Sequence, residues 1–203
     1  RGRRHVDVAY ALNNLATVLK DAGRFVEAEP LYLRSLSIFE DLLGHEDNLV
    51  AETLSNLGVM FTAQGRYESA EPLLRRGLAI AEKKFGSNSP EITRHLNNLA
   101  VLQERLAKYQ DGIDLLLRAL EIQLDSKKPD IEAVATLQSN IGNYWARQGH
   151  YAEAVTFVQL GLEIRRNLFG NEHIQIAHSL NNLSSLQFKQ GMYPEADLHN
   201  RKS

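Results

Sequence analysis

The stretch Leu12-Asn13-Asn14-Leu15-Ala16 decides how this chain folds, because close copies of it return along the sequence. They stand at Leu96-Asn97-Asn98-Leu99-Ala100 and Leu180-Asn181-Asn182-Leu183. The second asparagine of the stretch recurs every 42 residues, as Asn14, Asn56, Asn98, Asn140 and Asn182. A self-match of this length is typical of stacked-repeat proteins, whose units cannot bury their apolar faces alone. The sequence therefore predicts about five repeats stacked on one another.

Several other positions keep the same register. Nine positions after each asparagine of the series, the chain has Gly23, Gly65, Ala107, Gly149 and Gly191. Two positions further on comes an aromatic residue, which is Phe25, Tyr67, Tyr109, Tyr151 or Tyr193. Glycine commonly follows a helix end, because it tolerates a left-handed backbone. The register therefore predicts one helix before each of these turns and one after it, with the aromatic residues in packing roles.

Each repeat is predicted to contain two helices, called A and B. In the first repeat we expect helix A from about Val6 to Ala22 and helix B from near Phe25 to about Leu43. Asp47 is the expected N-cap of the next helix A, and Ser89 takes that place in the third repeat. Stacking is expected to bury one arc of the first helix A, made of Leu12, Leu15, Ala16, Val18 and Leu19.

These positions give a single all-α domain over residues 1–203. Its repeats span approximately residues 5–46, 47–88, 89–130, 131–172 and 173–203, and the last one is cut within its second helix. Residues 125–130 replace the usual helix stop without changing the count, so we expect a different loop there and no domain break. We also expect the chain to be a fragment of a longer protein, since it lacks a starting methionine.

The composition excludes several classes of function. There are 23 Lys and Arg residues against 25 Asp and Glu, a formal net charge of −2, which argues against binding of nucleic acid or of anionic membranes. The chain has no cysteine, and His173 and His178 do not share a helix face, so we expect no metal site. No apolar run approaches the roughly 20 residues that cross a bilayer. We therefore expect a cytoplasmic protein without cofactor or catalytic residues.

The order of small residue, glycine, aromatic residue and alanine resembles the tetratricopeptide pattern, although that repeat is usually about 34 residues long. The unit is similar in particular to the long repeats of kinesin light chains. The likeness is carried by Asp7-Val8-Ala9, the stretch 12–16, Gly23-Arg24-Phe25, residues 27–32 and Arg34-Ser35-Leu36. It implies a right-handed α-α superhelix, a tetratricopeptide solenoid whose A helices line a concave groove for a peptide. For kinesin light chains, the implied ligands are cargo-adaptor motifs with an aromatic residue among acidic ones.

The recurring asparagines fall on one stripe of helix A. At about 100° per residue, Tyr10, Asn14, Thr17 and Asp21 share this stripe in the first repeat. Amide groups carry donors and acceptors, so a ladder of asparagines can pair with the backbone of a bound peptide whatever its sequence. The alternative interpretation is structural, with hydrogen bonds between neighbouring repeats or to the preceding turn. The two interpretations can coexist.

Charge gives the stripe a direction. In repeats three to five it carries cations and the titratable His178 but no acid, whereas the first two repeats carry Asp21 and Glu52. We therefore predict a groove that is basic toward its C-terminal half and prefers an acidic peptide there. The candidate peptide-binding residues are Asn14, Asn56, Asn98, Asn140, Asn182, Arg94, Asn143, Arg105, Arg147 and Lys189.

For three of these cations there is an alternative role. Arg105, Arg147 and Lys189 come near the end of a predicted helix A, where a positive charge complements the helix dipole by about 0.3–1 kcal/mol. Arg94 comes near a helix start, and the dipole does not favour it there.

The expected function is protein–protein interaction without catalysis, as an adaptor or scaffold that binds peptide segments of partner proteins. One alternative is a regulatory sensor tail of a larger signalling ATPase. Another is self-assembly through the open terminal repeat. Trp145 is expected to pack between helices, because its register position is Leu19 and Phe61 in other repeats; the alternative is that it stacks on a ligand.

Overall fold

The structure, a computed structural model, describes residues 5–191, and this part of the chain is all-α. Its helices are α1 (Val6–Asp21), α2 (Phe25–Leu43), α3 (Asn48–Ala63), α4 (Tyr67–Phe85), α5 (Thr93–Arg105), α6 (Tyr109–Leu124), α7 (Ile131–Arg147), α8 (Tyr151–Phe169) and α9 (Ile174–Gln190). The prediction of all-α helix-turn-helix repeats is confirmed. The second helix of the fifth repeat, with Tyr193, lies outside the described residues.

The chain forms two compact units, which meet in sequence between Leu106 and Ala107. In unit 1, each of α1 to α5 packs on the next, and α3 also contacts both α1 and α5. In unit 2, α6 packs on α7, α7 on α8, and α8 on α9. The division falls between the two helices of the predicted third repeat and away from the loop at residues 125–130. The A helices of unit 1 therefore lie side by side.

The first helix pair begins and ends almost where the sequence predicts. Helix α1 ends one residue before Ala22, and α2 has the predicted bounds. Asp47 caps α3 as expected, since its side chain accepts a hydrogen bond of 2.9 Å from the Leu49 amide. Ser89 does not cap α5. A 3-10 turn, Pro90–Ile92, comes first, and the Ser89 hydroxyl donates to the Glu91 carboxylate instead.

Small residues allow the two helices of a repeat to approach closely. A Cβ on Gly58 of α3 would lie 2.7 Å from Cγ of Leu74 on α4. On Gly142 of α7 it would lie 2.9 Å from the carbonyl oxygen of Ala154 on α8. Real Cβ atoms essentially never come so close, so this register position is restricted to small residues. The other repeats have Ala16, Ala100 and Ser184 there, all of them buried.

Apolar side chains from neighbouring helices fill the interior of each unit. One cluster in unit 1 joins Ala9, Ile38, Phe39, Val50, Ala51, Leu54 and Ile80. In unit 2, a cluster joins Ala154, Val155, Val158, Leu162, Ile176, Leu180, Leu183 and Leu186. Trp145 packs, partly buried, against this second cluster, which agrees with its predicted role between helices.

The prediction that stacking buries the whole apolar arc of α1 is wrong for two residues. Leu15 is 50% exposed and Val18 is 65% exposed, whereas Ala16 and Leu19 are buried. The corresponding residues of α3, Leu57 and Met60, are at most 1% exposed. Leu15 and Val18 lie on one side of the first hairpin. On the second hairpin, which contains α3, the first repeat covers the corresponding side. No described residue covers this side of α1.

The turns between helices A and B need a left-handed backbone. Four of them use glycine, with φ of 74° at Gly23, 75° at Gly65, 85° at Gly149 and 87° at Gly191. The fifth turn uses Ala107 with φ of 57°, the one non-glycine residue with positive φ among the described residues. A Cβ in this region costs roughly 1–2 kcal/mol, because it crowds the following carbonyl oxygen. The turn between α5 and α6 is therefore strained.

A histidine is buried between two A helices of unit 1. His95 of α5 is 2% exposed, and its Nδ1 lies 2.7 Å from the Ser55 hydroxyl of α3. Burial and then the charge of Arg94 lower the pKa of His95 to about 4. The His95 imidazole therefore stays neutral in the folded chain at a pH where the same imidazole is protonated in the unfolded chain.

We expect Ala107→Gly to raise the free energy of unfolding by about 0.5–1 kcal/mol, because the released strain exceeds the extra entropy of glycine in the unfolded chain. Urea denaturation monitored by circular dichroism measures the change. Gly149→Ala is the matched control and should lower stability. A lower stability of Ala107→Gly would contradict the strain at this turn.

We expect acid to destabilise the fold through His95. Its folded pKa lies below its unfolded value, so its contribution is constant above about pH 6.5 and is lost as the pH falls toward 4. Between pH 7 and pH 5 the loss amounts to about 2 kcal/mol. The matched variant is His95→Leu, since Leu137 occupies this register position in repeat four. Urea denaturation at pH 7 and pH 5 should show a larger loss of unfolding free energy for the wild type than for His95→Leu. Equal losses in the two proteins would exclude this role of His95.

Candidate functional site

The A helices of unit 1 carry a row of polar side chains, which we call the unit 1 face. Its asparagines are Asn14 of α1, Asn56 of α3 and Asn98 of α5. Asn14 is exposed, while Asn56 and Asn98 are half-buried. None of the three is enclosed in the interior.

One asparagine of this row, Asn56, is hydrogen-bonded to the neighbouring A helix. The Asn56 Nδ2 group donates to Oδ1 of Asn13, on the adjacent helix, at 3.4 Å. This long hydrogen bond connects the first two repeats, as the structural interpretation of the asparagines expects. Within residues 5–191, the side chains of Asn14 and Asn98 make no hydrogen bond. The repeated asparagines therefore do not all serve the same structural bond.

The charges of the unit 1 face are partly paired. The Arg94 guanidinium lies 3.8 Å from the Glu52 carboxylate of the neighbouring helix, and Asn48 donates to the same carboxylate at 2.8 Å. Arg94 is therefore not an isolated cation, which its position at the helix start could not reveal. Arg105 is exposed in the last turn of α5, where a ligand and the helix dipole both favour a positive charge.

Other stripe residues of the first repeat contact the protein itself. The ring of Tyr10 meets Phe39 edge-on, with centroids 5.3 Å apart. The Thr17 hydroxyl lies 2.9 Å from the hydroxyl of the buried Tyr32. These contacts join α1 to α2, so the stripe of the first repeat serves packing as well as the outer surface.

The A helices of unit 2 carry a second row, the unit 2 face. Asn140 and Asn143 are half-buried on α7, and Asn182 is exposed on α9. Arg147 and Lys189, both exposed, stand in the last turns of these helices. A hydrogen bond of 3.5 Å from Gln175 of α9 to the Glu132 carboxylate of α7 shows that the two helices are neighbours. The predicted residues on α7 and α9 therefore belong to one surface, and its end near Arg147 and Lys189 is cationic.

Sequence reasoning missed two polar residues, one on these A helices and one held between them. Glu132 is exposed in the first turn of α7, one turn before the predicted stripe begins at Thr136, and it adds an acid to the far end of the face. Arg165 of α8 is buried and reaches both A helices. Its register position in other repeats is Phe39, Ala81 and Gln123, which gives no periodic signal for an arginine.

The described part of the chain shows no arrangement for metal binding. Within residues 5–191, no group of three or more His, Asp or Glu side chains is placed to hold a metal ion. His173 caps α9 by accepting from the Gln175 amide at 3.3 Å, and its ring stacks on Phe169 with centroids 4.6 Å apart. None of the described helices combines the length and the apolarity needed to cross a bilayer.

Comparison with known proteins identifies the repeat. A sequence model of the tetratricopeptide repeat family matches residues 7–83, 61–125 and 133–203. No curated protein matches the sequence.

Several solved structures have the same fold over almost the whole chain. The nearly identical TPR-like repeats of a Podosopora anserina protein assigned as a kinesin light chain have a TM-score of 0.81 and 21% identity, covering 98% of this chain and 94% of that one. BtubC (BKLC) from P. vanneervenii has a TM-score of 0.82 and 22% identity over 97% of this chain and 79% of that one. A Rap protein complexed with competence and sporulation factor has a TM-score of 0.77 and 17% identity over 94% and 51%. The predicted resemblance to kinesin light chain repeats is confirmed at the level of fold.

We expect the bond between Asn13 and Asn56 to contribute little to stability. At 3.4 Å it should give a coupling energy of about 0.5 kcal/mol in a double-mutant cycle with alanine. Asn98→Ala, which removes no side-chain hydrogen bond, should leave stability unchanged or raise it by a few tenths of a kcal/mol through helix propensity. Urea denaturation of the four cycle members and of Asn98→Ala measures both values. A loss above about 1.5 kcal/mol for Asn98→Ala would show that this asparagine is structural.

Proposed function

The chain belongs to the tetratricopeptide repeat family of protein-interaction modules, and we propose that its A-helix faces bind peptide segments of partner proteins. The unit 1 face supplies Asn14, Asn56 and Asn98, and the unit 2 face supplies Asn140, Asn143 and Asn182. A segment bound at the unit 2 face is acidic. In this function the chain is an adaptor or scaffold and performs no catalysis.

The observation that carries the proposal is the placement of asparagines at one register position on successive A helices. Asparagine is less favourable than alanine inside a helix, and the bond between Asn13 and Asn56 accounts for one rung. Asn98 has the same half-buried placement without a side-chain bond within residues 5–191. Its amide can donate to a peptide carbonyl and accept from a peptide N–H. Contacts of this kind hold a peptide backbone irrespective of its side chains.

Charge supports the acidic character of the ligand. At the C-terminal ends of α7 and α9, Arg147 and Lys189 are exposed cations, and both stripes lack an acid between these ends and Thr136 or His178. Rim charges raise the association rate of an oppositely charged partner more than they raise its affinity. The same two cations also interact favourably with the helix dipole. Stabilising the helix end and attracting an acidic ligand are therefore compatible roles.

The relatives support protein ligands in general. A Rap protein of this fold was solved with competence and sporulation factor, so the fold accommodates a bound factor in that case. The aromatic residue expected among the acidic ones rests on the resemblance to kinesin light chains.

A peptide array of acidic and neutral motifs, each with and without an aromatic residue, is probed with the chain to test the proposal and supply a ligand. Arg147→Glu combined with Lys189→Glu should weaken the best acidic peptide about 5- to 20-fold at low salt and reduce its salt dependence. Asn98→Ala should weaken acidic and neutral hits alike. Fluorescence anisotropy with labelled peptide measures the affinities.

The matched control is Arg34→Glu, an exposed arginine on α2 away from both faces, which should leave affinity unchanged. If all these variants bind like the wild type, the A-helix faces are not the binding surface. If the array yields no hit, peptide recognition itself is excluded.

A further inference from the structure

A buried arginine connects three helices of unit 2. Arg165 of α8 is 8% exposed, and its Nη1 group donates to the Ser139 hydroxyl of α7 at 2.7 Å and to the Ser179 hydroxyl of α9 at 3.4 Å. The two hydroxyls donate in turn to the carbonyls of Ala135, at 3.0 Å, and Gln175, at 2.8 Å. Their protons are thereby committed to the backbone, and their lone pairs face the guanidinium. The arginine head is therefore fixed in place between the A helices.

The charge of Arg165 is not neutralised by a close carboxylate. Among residues 5–191, no acid lies within salt-bridge distance of the guanidinium. Burial lowers the pKa of Arg165, and the charge of the more distant Glu132 opposes this effect. Arginine nevertheless stays protonated in proteins. A buried ion without a counterion is costly, and an anion that pairs with it recovers much of that cost.

The hydrogen-bonding capacity of the guanidinium is only partly used. It has five N–H donors in a planar fork, and both of its bonds come from Nη1. Within the described residues, Nε and Nη2 have no hydrogen-bond acceptor. These two nitrogens form the edge that pairs with a carboxylate through two parallel bonds. The free edge therefore has the geometry of a carboxylate receptor.

The fold does not require an arginine at this position. The same register position holds Phe39, Ala81 and Gln123 in the preceding repeats, and all three side chains are buried. Ser139 and Ser179 hold the register positions of Ser55 and His95, whose side chains contact each other directly at 2.7 Å in unit 1. Repeats four and five thus place an arginine between two positions that contact each other directly in repeats two and three.

We propose that the Nε–Nη2 edge of Arg165, held by Ser139 and Ser179, binds the carboxylate of an acidic side chain. That the carboxylate comes from a peptide on the unit 2 face rests on the proposed function, whereas the affinity of Arg165 for a carboxylate does not. Glu132 opposes the anion through its charge and so limits the affinity of the free site. The site makes the unit 2 face select for Asp or Glu at one position of a ligand.

The test uses acetate as the probe and the whole chain at pH 7, with ionic strength held constant by NaCl. The Nε–Hε signal of Arg165 in a nitrogen–proton NMR spectrum, assigned by its loss in Arg165→Gln, should shift saturably with acetate. Arg165→Gln places in repeat four the glutamine that repeat three has at this position, and it should abolish the acetate-dependent rise in melting temperature. Glu132→Gln should tighten acetate binding roughly two- to fivefold.

Arg34→Gln is the matched control, because it removes an exposed arginine of α2, outside the A-helix faces, and should leave acetate binding intact. If Arg165→Gln does not fold by circular dichroism, Arg165→Lys keeps the charge without the fork and should weaken acetate binding strongly. An unsaturable shift, or equal effects of acetate on the wild type and the Arg165 variants, would overturn the proposal. Phosphate binding more than tenfold tighter than acetate would also overturn it, in favour of a phosphorylated ligand.

If acetate binds as expected while the charge-reversal variants leave peptide affinity unchanged, the carboxylate site stands and the proposed peptide surface fails. If acetate does not bind while those variants weaken acidic peptides, the peptide surface stands without Arg165.

Discussion

The contact on which the repeat depends is the close approach of helices A and B within one hairpin. At Gly58 and Gly142 there is no room for a Cβ against the facing helix, so this position accepts only small residues. Once the crossing point is fixed, the side chains one position before it, Leu57 and Ile141, fall inside the packed layer. The asparagines two positions before it, Asn56 and Asn140, then fall at the edge of that layer. The crossing thus sets the direction in which these side chains point.

Features that depend on one hairpin were predictable from the sequence. The bounds of α1 and α2 follow from the apolar period and the turn glycine, and the Asp47 cap follows from local hydrogen bonding. Features that depend on a neighbouring repeat were not predictable. Leu15 has the same chemistry as Leu57, but within residues 5–191 only Leu57 is covered by a neighbouring repeat. Periodicity gives the direction of a side chain, and its burial also depends on what lies opposite.

The same distinction applies to the candidate site. The sequence placed the asparagines and cations on the A helices, and the structure brings them onto two surfaces, one in each unit. It could not show that Arg94 lies beside Glu52, because the two residues belong to different repeats. Nor could it find Arg165, which comes from a B helix at a position where other repeats have an aromatic residue, an alanine or a glutamine. A contact between three helices cannot be recognised from the repeat period when it is made in one repeat and not in the others.

Divergence between repeats therefore carries as much functional information as their similarity. In the proposed function, the repeated asparagines hold a peptide backbone, and backbone contacts cannot by themselves distinguish one sequence from another. Specificity has to come from positions where the repeats differ. A buried ion is the most restrictive of these, because its desolvation cost falls only when an anion of suitable shape pairs with it. An exposed cation such as Lys189 is already solvated by water, so it does not depend on one partner for its solvation. It attracts acidic segments without selecting a single position. In the proposed site, Arg165, fixed between Ser139 and Ser179, favours one carboxylate at one place and would thereby set the register of an acidic peptide.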